Sequence, residues 1–295
     1  MADMTEMTTQ STGSGSQEPV SQIRAALAER IEQGTLDLPL LPQVASQVMA
    51  LTGDPNTDAA RFSSLIHQDQ ALAGHILRIA NCPAYMPRSP IVSLQQSIAW
   101  LGLNILAEIA VTISLQNGVF RVQGYKAEIK QLWRHAFATA LYGKEIARLG
   151  RHNVESAFLC GLLHSIGKPV ILHAVSELQK QVETTLPWDA MHMLMQEYHT
   201  QVGTVMADRW NLPSQVRAAI TYYDNYMQAP SHPQAAMTTC LANRFATHLI
   251  DPQTLTEQAV REQPVVRDLN LYPDDLTALF EKRDTILTSA DAMAL

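Results

Sequence analysis

Apolar residues recur along most of this chain at the three- and four-residue spacing of an amphipathic helix. Ile23, Leu27 and Ile31 form one such stripe, and Val44 and Val48 begin another. No stretch rich in Val, Ile and Thr alternates apolar and polar residues as a half-buried strand requires. The pattern therefore predicts an all-α protein, a multi-helical bundle without a sheet.

Residues that start or stop helices divide this pattern into elements. Asp58, Ser93 and Asn153 are suited to cap helix N-termini, because their short side chains accept hydrogen bonds from the first turn. Asn81 precedes a proline-rich stretch and is expected to end its helix in the left-handed conformation. The predicted helices include 59–67, 71–80, 154–164, 188–198, 201–210, 214–226 and 234–250, and 82–90 is predicted as a loop.

Composition along the chain indicates how these helices are grouped. Residues 1–18 contain too few large apolar side chains to offset the entropy lost on ordering, so they are predicted to form a disordered tail. A boundary near 117–124 separates an N-terminal helical lobe, 19–120, from a second lobe, 121–235. Residues 236–295 are predicted to form a C-terminal helical extension.

Charge and cysteine content narrow the functional classes. The 295 residues include 28 acidic and 21 basic side chains, a net charge of −7, so the basic face that generic nucleic-acid binding needs is not expected. Cys82, Cys160 and Cys240 lie far apart without a CxxC pair. This spacing excludes a disulfide framework and a thiolate zinc site, and it indicates a reducing compartment.

No export or membrane segment is expected. The first basic residue is Arg24, so the N-terminal region lacks the positively charged start of a signal peptide. The longest apolar run, 101–120, contains Glu108, and a carboxylate at the bilayer centre would cost ~2.5 kcal/mol or more. The run is interpreted as a buried core helix, and the protein is predicted to be cytoplasmic and not to bind membranes.

The candidate chemistry is a set of histidines in the second lobe. The chain has no phosphate-binding glycine loop, no HExxH motif and no GxSxG motif. The histidines are His135, His164, His173, His192 and His199. His173 and His192 are interpreted as ordinary surface or core residues, whereas the other three lie in recognisable local contexts.

These contexts resemble a known enzyme family. The segment 157–168, AFLCGLLHSIGK, is similar to the core motif of HD phosphohydrolases, a Leu-Leu-His-Asp-Ile-Gly-Lys string. Residues 133–135 resemble the helix that carries the first histidine of that fold, and 197–219 resemble the helices that follow the motif. Trp133 and Trp210 lie on apolar helical faces and are predicted to be buried.

A second signature lies upstream. It consists of Leu-Pro-Leu-Leu-Pro at 38–42 and then of Asp69, Leu72, Leu77, Asn81, Tyr85, Ser93 and the pair at 101–102. Together the two signatures resemble the HDOD domain, the HD-related output domain of bacterial signalling proteins, over roughly 36–229. The resemblance implies an HD-like second lobe and a regulatory or interaction role.

The resemblance also implies which metal ligands are absent from this sequence. HD enzymes hold divalent metals through histidines and aspartates, and the carboxylates supply the neutralising charge. The His-Asp pair is replaced by His164 and Ser165, and the last aspartate by Asn243. Tyr223 stands where a histidine is often found. Because no carboxylate accompanies His135 and His164, the sequence predicts no catalytic residue, no bound metal and no cofactor.

Seven polar residues are predicted to remain as a vestigial pocket. They are His135, His164, Ser165, Lys168, His199, Tyr223 and Asn243. The pocket could bind a small anion through Lys168, or its polar groups could simply satisfy hydrogen bonds at a helix end.

The expected function is that of a non-enzymatic bacterial signal-transduction module, a protein-interaction adaptor. Its expected partners are signalling proteins, including nucleotide-signalling enzymes, with neither nucleic acid nor membrane among them. Two alternatives remain open. One is a ligand sensor that binds a nucleotide in the vestigial pocket, and the other is a residual metal-dependent phosphohydrolase with an unusual ligand set.

Overall fold

The computed structural model describes residues 17–52, 59–82, 85, 87, 89–118 and 122–293. Almost all of the predicted tail and the predicted cap Asp58 lie outside the described residues. Helices connected by turns make up the described part of the chain, which contains no strand. The all-α prediction is confirmed.

The first lobe is built from short helices. They are α1 (Gln17–Glu32), α2 (Gln43–Thr52), α3 (Ala59–His67), α4 (Gln70–Ala80), α5 (Leu94–Leu101) and α6 (Leu103–Gly118). Ser93 caps α5 as predicted, because its side chain accepts a hydrogen bond from the Gln96 amide. Gly102, at φ 81°, turns the chain sharply between α5 and α6, in a conformation that glycine adopts without steric cost.

Asn81 ends α4, but the prediction that it is left-handed is wrong. Its φ of −93° and ψ of −1° are right-handed. The side chain explains why, because its amide nitrogen donates to the carbonyls of Leu77 and Ile91 and its oxygen accepts from the Ile91 amide, each at 2.8 Å. The Asn81 side chain therefore connects the two ends of the 82–90 loop by hydrogen bonds.

The second lobe has longer helices. They are α7 (Lys126–Leu149), α8 (Val154–Leu163), α9 (Gly167–Gln181), α10 (Trp188–Arg209), α11 (Ser214–Tyr222) and α12 (Pro233–Ile250), with a 3₁₀ segment at Tyr223–Gln228. Helices α8 and α12 pack against α7, and α9 and α11 pack against α10. The chain ends in α13 (Glu257–Arg261), α14 (Pro264–Asp268), α15 (Pro273–Glu281) and α16 (Arg283–Met293).

Two helix predictions in this lobe are corrected. The helices predicted at 188–198 and 201–210 are one continuous helix, α10, because Thr200 does not interrupt the backbone hydrogen bonds. The helix predicted at 214–226 stops at Tyr222, and the following 3₁₀ segment is kinked at Asn225.

Several contacts join the lobes and the chain termini into one molecule. Helix α1 packs against α9 and α10 of the second lobe, and α6 touches α8. Trp210, 7% exposed, donates from Nε1 to the carbonyl of Pro39 at 2.9 Å. Trp133, fully buried, donates to the Met293 carbonyl at 3.3 Å, so the chain end returns to α7. The predicted burial of both tryptophans is confirmed.

Two apolar helical stretches have the length and composition of membrane spans in the described residues. One is 154–181, whose most apolar 18-residue window is 89% buried inside the protein. The other is the pair α5 and α6. It reaches the required length and hydropathy only when both helices are counted together, and it is bent by 118° at Gly102. Burial of this extent is typical of the core helices of a soluble protein.

Candidate functional site

A cleft of about 700 Å³ opens between α7, α10 and α12 in the second lobe. Each helix lines it with residues three or four positions apart, the spacing that places side chains on one face. The main lining residues are Glu128, Gln131, Leu132 and His135 from α7, Trp188, His192 and Gln196 from α10, and Asn243, Arg244, Thr247 and Ile250 from α12.

Burial divides the cleft into a floor and a rim. We define the floor as the buried residues Ser165, Lys168, Tyr223 and Asn243. We define the rim as the half-buried or exposed residues Glu128, Trp188, His192 and Asp251. The cleft thus runs from a solvent-exposed, partly aromatic rim to a polar floor inside the lobe.

The structure brings the seven predicted pocket residues together as one cluster. Five line the cleft: His135 and the four floor residues. His164 and His199 lie behind the floor and are buried. The ring of Tyr223 meets that of His164 edge-on at 4.9 Å between centres, and the His135 ring centre is 5.7 Å from that of His164.

Two glycines allow this cluster to close. A Cβ at Gly161 would lie 2.6 Å from the Cα of Ala140, so only glycine lets α8 approach α7 here. A Cβ at Gly167 would collide with the carbonyl oxygen of His199, so glycine also brings the start of α9 against α10. These close approaches bring Lys168 into the floor and place His164 behind it.

His164 is held as a neutral ring with one unused nitrogen. Its Nδ1 donates to the carbonyl of Gly161 at 2.6 Å, so Nε2 carries the lone pair. That Nε2 is buried and has no hydrogen-bond partner. Burial, with a smaller effect of His135, lowers the pKa of His164 well below its usual value.

His199 is also neutral, and Tyr223 completes its hydrogen bonds. Nδ1 donates to the carbonyl of Gln196 at 2.9 Å, which leaves Nε2 to accept from the Tyr223 hydroxyl at 2.6 Å. Burial is the main cause that lowers the pKa of His199 to about 4. The phenol and the two backbone-anchored histidines therefore form a structural layer beneath the cleft.

His135 faces the cleft from α7. Its Nε2 lies 3.2 Å from the hydroxyl of Thr247, which itself donates to the carbonyl of Asn243, so the ring donates to that oxygen. Burial, followed by the positive charge of Lys168, lowers the pKa of His135 to about 3. The side chain is a neutral hydrogen-bond donor on the cleft wall.

Lys168 is the cation of the floor. It is 9% exposed, and its ammonium group makes no hydrogen bond or ion pair with any described residue. Burial lowers the pKa of Lys168 to about 8, an effect that the carboxylate of Asp224 partly offsets from a distance. Asp224 lies 3.6 Å from a guanidinium nitrogen of Arg244 and 3.9 Å from Nε2 of His199.

The donor set does not fit the metal ions that HD folds hold. No three His, Cys, Asp or Glu side chains come together as a metal-binding group in the described parts of the chain. The unused Nε2 of His164 could ligate, but the floor residues Ser165 and Asn243 offer only a hydroxyl and an amide. Neutral oxygen donors do not balance the charge of Mg²⁺ or Mn²⁺ as carboxylates do.

Sequence reasoning missed several cleft residues. Trp188, Asp224, Arg244 and Thr247 had no assigned role, and His192 was interpreted as an ordinary residue. The available signal was helical spacing, because Trp188 and His192 are four residues apart, as are Asn243 and Thr247. That spacing becomes informative only once the facing helices are known.

The family comparison agrees with this geometry. The model of the HDOD domain matches residues 38–226, well over half of the chain, and the chain belongs to this family. The match confirms the resemblance that the two sequence signatures indicated.

A curated relative and solved structures extend the comparison. An uncharacterized protein of Treponema pallidum (strain Nichols) is 26% identical over 254 residues, which cover 83% of this chain and 48% of that protein. The chain therefore spans about half the length of that relative.

Two solved structures share the fold. An HDOD domain protein with unknown function from Geobacter sulfurreducens is similar with a TM-score of 0.70 and 23% identity, over 92% of this chain and 98% of that chain. A candidate metal-dependent phosphohydrolase from Shewanella amazonensis SB2B is similar with a TM-score of 0.71 and 19% identity, over 92% and 99%.

Proposed function

We propose that this chain is a non-enzymatic regulatory module of bacterial signal transduction that acts as a protein-interaction adaptor. The observation that carries the proposal is the donor set around His135 and His164, in which Ser165 and Asn243 stand in place of carboxylates. Without those charges a hydrolytic metal and its activated water have no stable position.

The test of the non-enzymatic part restores one carboxylate. Ser165→Asp rebuilds the His-Asp pair but leaves Asn243 and Tyr223 unchanged, so we expect no phosphatase or phosphodiesterase activity from it or from the wild type. The assay uses 4-nitrophenyl phosphate and bis(4-nitrophenyl) phosphate with added Mg²⁺ or Mn²⁺. Metal-dependent turnover by the wild-type protein that is lost in His135→Ala would contradict the proposal and support a residual phosphohydrolase.

A face of α5 supports the adaptor role. Val92 is 73% exposed and Trp100 is 45% exposed. Val92 lies just before α5, and its amide donates to the side chain of Gln96, which is one helical turn from Trp100 on α5. Trp100 also donates from Nε1 to the carbonyl of Tyr85 at 3.1 Å, so its ring is held in place. A fixed, partly exposed tryptophan is typical of the residues that dominate protein interfaces.

Partner capture tests this face against the cleft. We expect Val92→Lys to reduce capture from a bacterial lysate about tenfold, corresponding to ~1.4 kcal/mol of interface energy. Met227→Lys is the matched control, because Met227 is an equally exposed apolar residue, at 79%, in the second lobe. His164→Ala should retain capture, since it changes only a buried ring. Loss of capture by well-folded His164→Ala would contradict the adaptor proposal.

A second candidate function is favoured by one specific observation. Lys168 is only 9% exposed, and its ammonium group faces the cleft without a hydrogen bond or ion pair to any described residue. A charge with so little access to water is costly unless something compensates it. A small-molecule sensor would use this cleft and transmit binding to the rest of the molecule. The two candidates are separable, because the adaptor needs an outer face whereas the sensor needs an occupied cleft.

A further inference from the structure

The cleft floor presents unused hydrogen-bond donors. The Nζ of Lys168, the hydroxyl of Ser165 and the side-chain amide of Asn243 make no hydrogen bond with any described residue, although all three residues are at least nine-tenths buried. None of these groups is an enclosed atom without a partner, because all three face the space of the cleft and can bond to what occupies it. One positive charge and two neutral donors around one space are the chemistry that binds a single anionic group.

The wall above the floor is partly aromatic. Trp188 and His192 are one turn apart on α10, with ring centres 6.4 Å apart and planes 40° apart. Trp188 is 40% exposed and lines the cleft. The amide of Gln196 lies 3.2 Å from Nε2 of His192 and continues this wall toward the floor. Such a surface favours a planar ring that stacks on it.

Most of the charged groups of the cleft lie outside its floor. The carboxylates of Glu128 and Asp251 lie at the rim, and the half-exposed carboxylate of Asp224, which also lines the cleft, lies 3.6 Å from a guanidinium nitrogen of Arg244. The ammonium group of Lys168 is the charge of the floor itself. Along α12 the floor residue Asn243 and the rim residue Asp251 are eight positions apart, which corresponds to about 12 Å of helix. A polyanion would place further negative charge against the rim, so the arrangement fits a short ligand with one anionic end.

From these three features we infer that the cleft binds a small ligand that consists of a planar aromatic ring and one anionic group. The anion lies against Lys168, Ser165 and Asn243, and the ring lies against Trp188 and His192. Hydrogen-bond donors on the ring point toward the rim carboxylates. This inference rests on the second candidate function and is independent of the adaptor proposal, which involves another face.

A phosphate ester and a carboxylate share the required anionic chemistry, and the probes distinguish them. Isothermal titration at low salt compares 5′-AMP, adenosine, inorganic phosphate, 4-aminobenzoate and aniline. We expect at least one ring-plus-anion probe to bind tenfold or more tightly than its ring alone or than phosphate alone. Preference for 5′-AMP assigns a phosphate ester, and preference for 4-aminobenzoate assigns a carboxylate.

Matched variants test the two halves of the site. Lys168→Met should weaken the preferred probe at least tenfold, and Lys180→Met, at an exposed lysine of the same helix, should not. Trp188→Leu should weaken it severalfold, with Trp100→Leu of the first lobe as control. Asn243→Asp places a carboxylate on the floor and should abolish binding even if Lys168→Met does not fold.

Two results would overturn the inference. One is that neither ring-plus-anion probe binds the wild-type protein better than its separate parts. The other is that folded Lys168→Met and Asn243→Asp bind as well as the wild type. Neither result affects the capture of partners by the α5 face, so the failure of this inference and the failure of the adaptor proposal are distinguishable.

Discussion

Three histidines in the second lobe illustrate how single residues are specialised by their surroundings. His135, His164 and His199 each have a lowered pKa, and burial is the largest cause in every case. Carbonyl oxygens accept from Nδ1 of His164 and His199, which fixes the tautomer of each neutral ring, and Nε2 of His199 accepts from the Tyr223 hydroxyl, which a protonated ring could not do. The sequence placed these residues in one cluster, but it did not show that His135 lines a cleft and that His164 and His199 are packed behind its floor.

The lowered pKa values predict how stability depends on pH. In the unfolded chain each ring titrates near its ordinary pKa of 6.5, whereas in the folded protein His135 titrates at about 3 and His199 at about 4. Between pH 6.5 and 4 the unfolded chain therefore binds more protons. Above pH 6.5 the rings are neutral in both states, and the free energy of unfolding is at its full value with respect to them. As the pH falls below 6.5 the free energy of unfolding decreases, with a slope that approaches about 4 kcal/mol per pH unit for three rings.

Urea unfolding at pH 7, 6 and 5 measures this slope. His199→Gln should reduce it by about one third, since one of three proton-linked groups is removed. His67→Gln, at an exposed position on α3, should leave it unchanged. Equal slopes for the wild type and His199→Gln would show that His199 is not buried as a neutral ring.

At the scale of elements, helix boundaries were predicted well wherever a local signal exists. Helix α3 matches its prediction at 59–67, and Asn153 caps α8 as expected, because caps act within one turn. The break at Tyr222 was missed because no local signal marks it. The neighbouring Tyr223 hydroxyl donates to His199, on a helix that precedes it in the chain. Long-range contacts of this kind leave no local pattern.

Contacts between helices could not be predicted from the sequence either. In the sequence, Glu108 on α6 served only as an argument against a membrane span. In the structure both of its oxygens accept from Nζ of Lys144 on α7, at 2.7 and 2.6 Å, and Lys144 is 8% exposed. Burial raises the pKa of Glu108, and Lys144 opposes this effect. The pair joins the two lobes in a place with little water.

This ion pair predicts a non-additive mutational response. Lys144→Met leaves a buried carboxylate unpaired and should cost about 3–5 kcal/mol of unfolding free energy. The double change Glu108→Leu and Lys144→Met removes both charges and should recover most of that loss. Urea unfolding of the wild type, both single variants and the double variant completes the cycle. A double variant as unstable as Lys144→Met would indicate that the pair is not buried as described.

At the scale of the whole molecule, the two lobes share a helix. Five large apolar residues of α6 are buried, namely Leu106, Ile109, Val111, Ile113 and Leu115. Leu103 and Ile105 are partly buried and pack beside them. Buried residues on most sides of a helix indicate packed neighbours on most of its sides. Helices α2 and α4 pack on α6 from the first lobe and α8 from the second. The family resemblance predicted two lobes, but their shared core follows only from the packing.

This shared core predicts that the lobes unfold together. If α6 leaves either lobe it exposes apolar surface in both, so a state with only one lobe folded should be scarcely populated. The protein is labelled with 5-fluorotryptophan, and Trp100→Phe assigns the resonance of Trp100 in the first lobe. Fluorine NMR then follows Trp100 and the buried Trp133 of the second lobe through a urea titration. We expect the two native signals to disappear at the same urea concentration within error. Separate midpoints, with the Trp100 signal lost first while that of Trp133 persists, would show that the lobes are independent folding units and that α6 does not couple them.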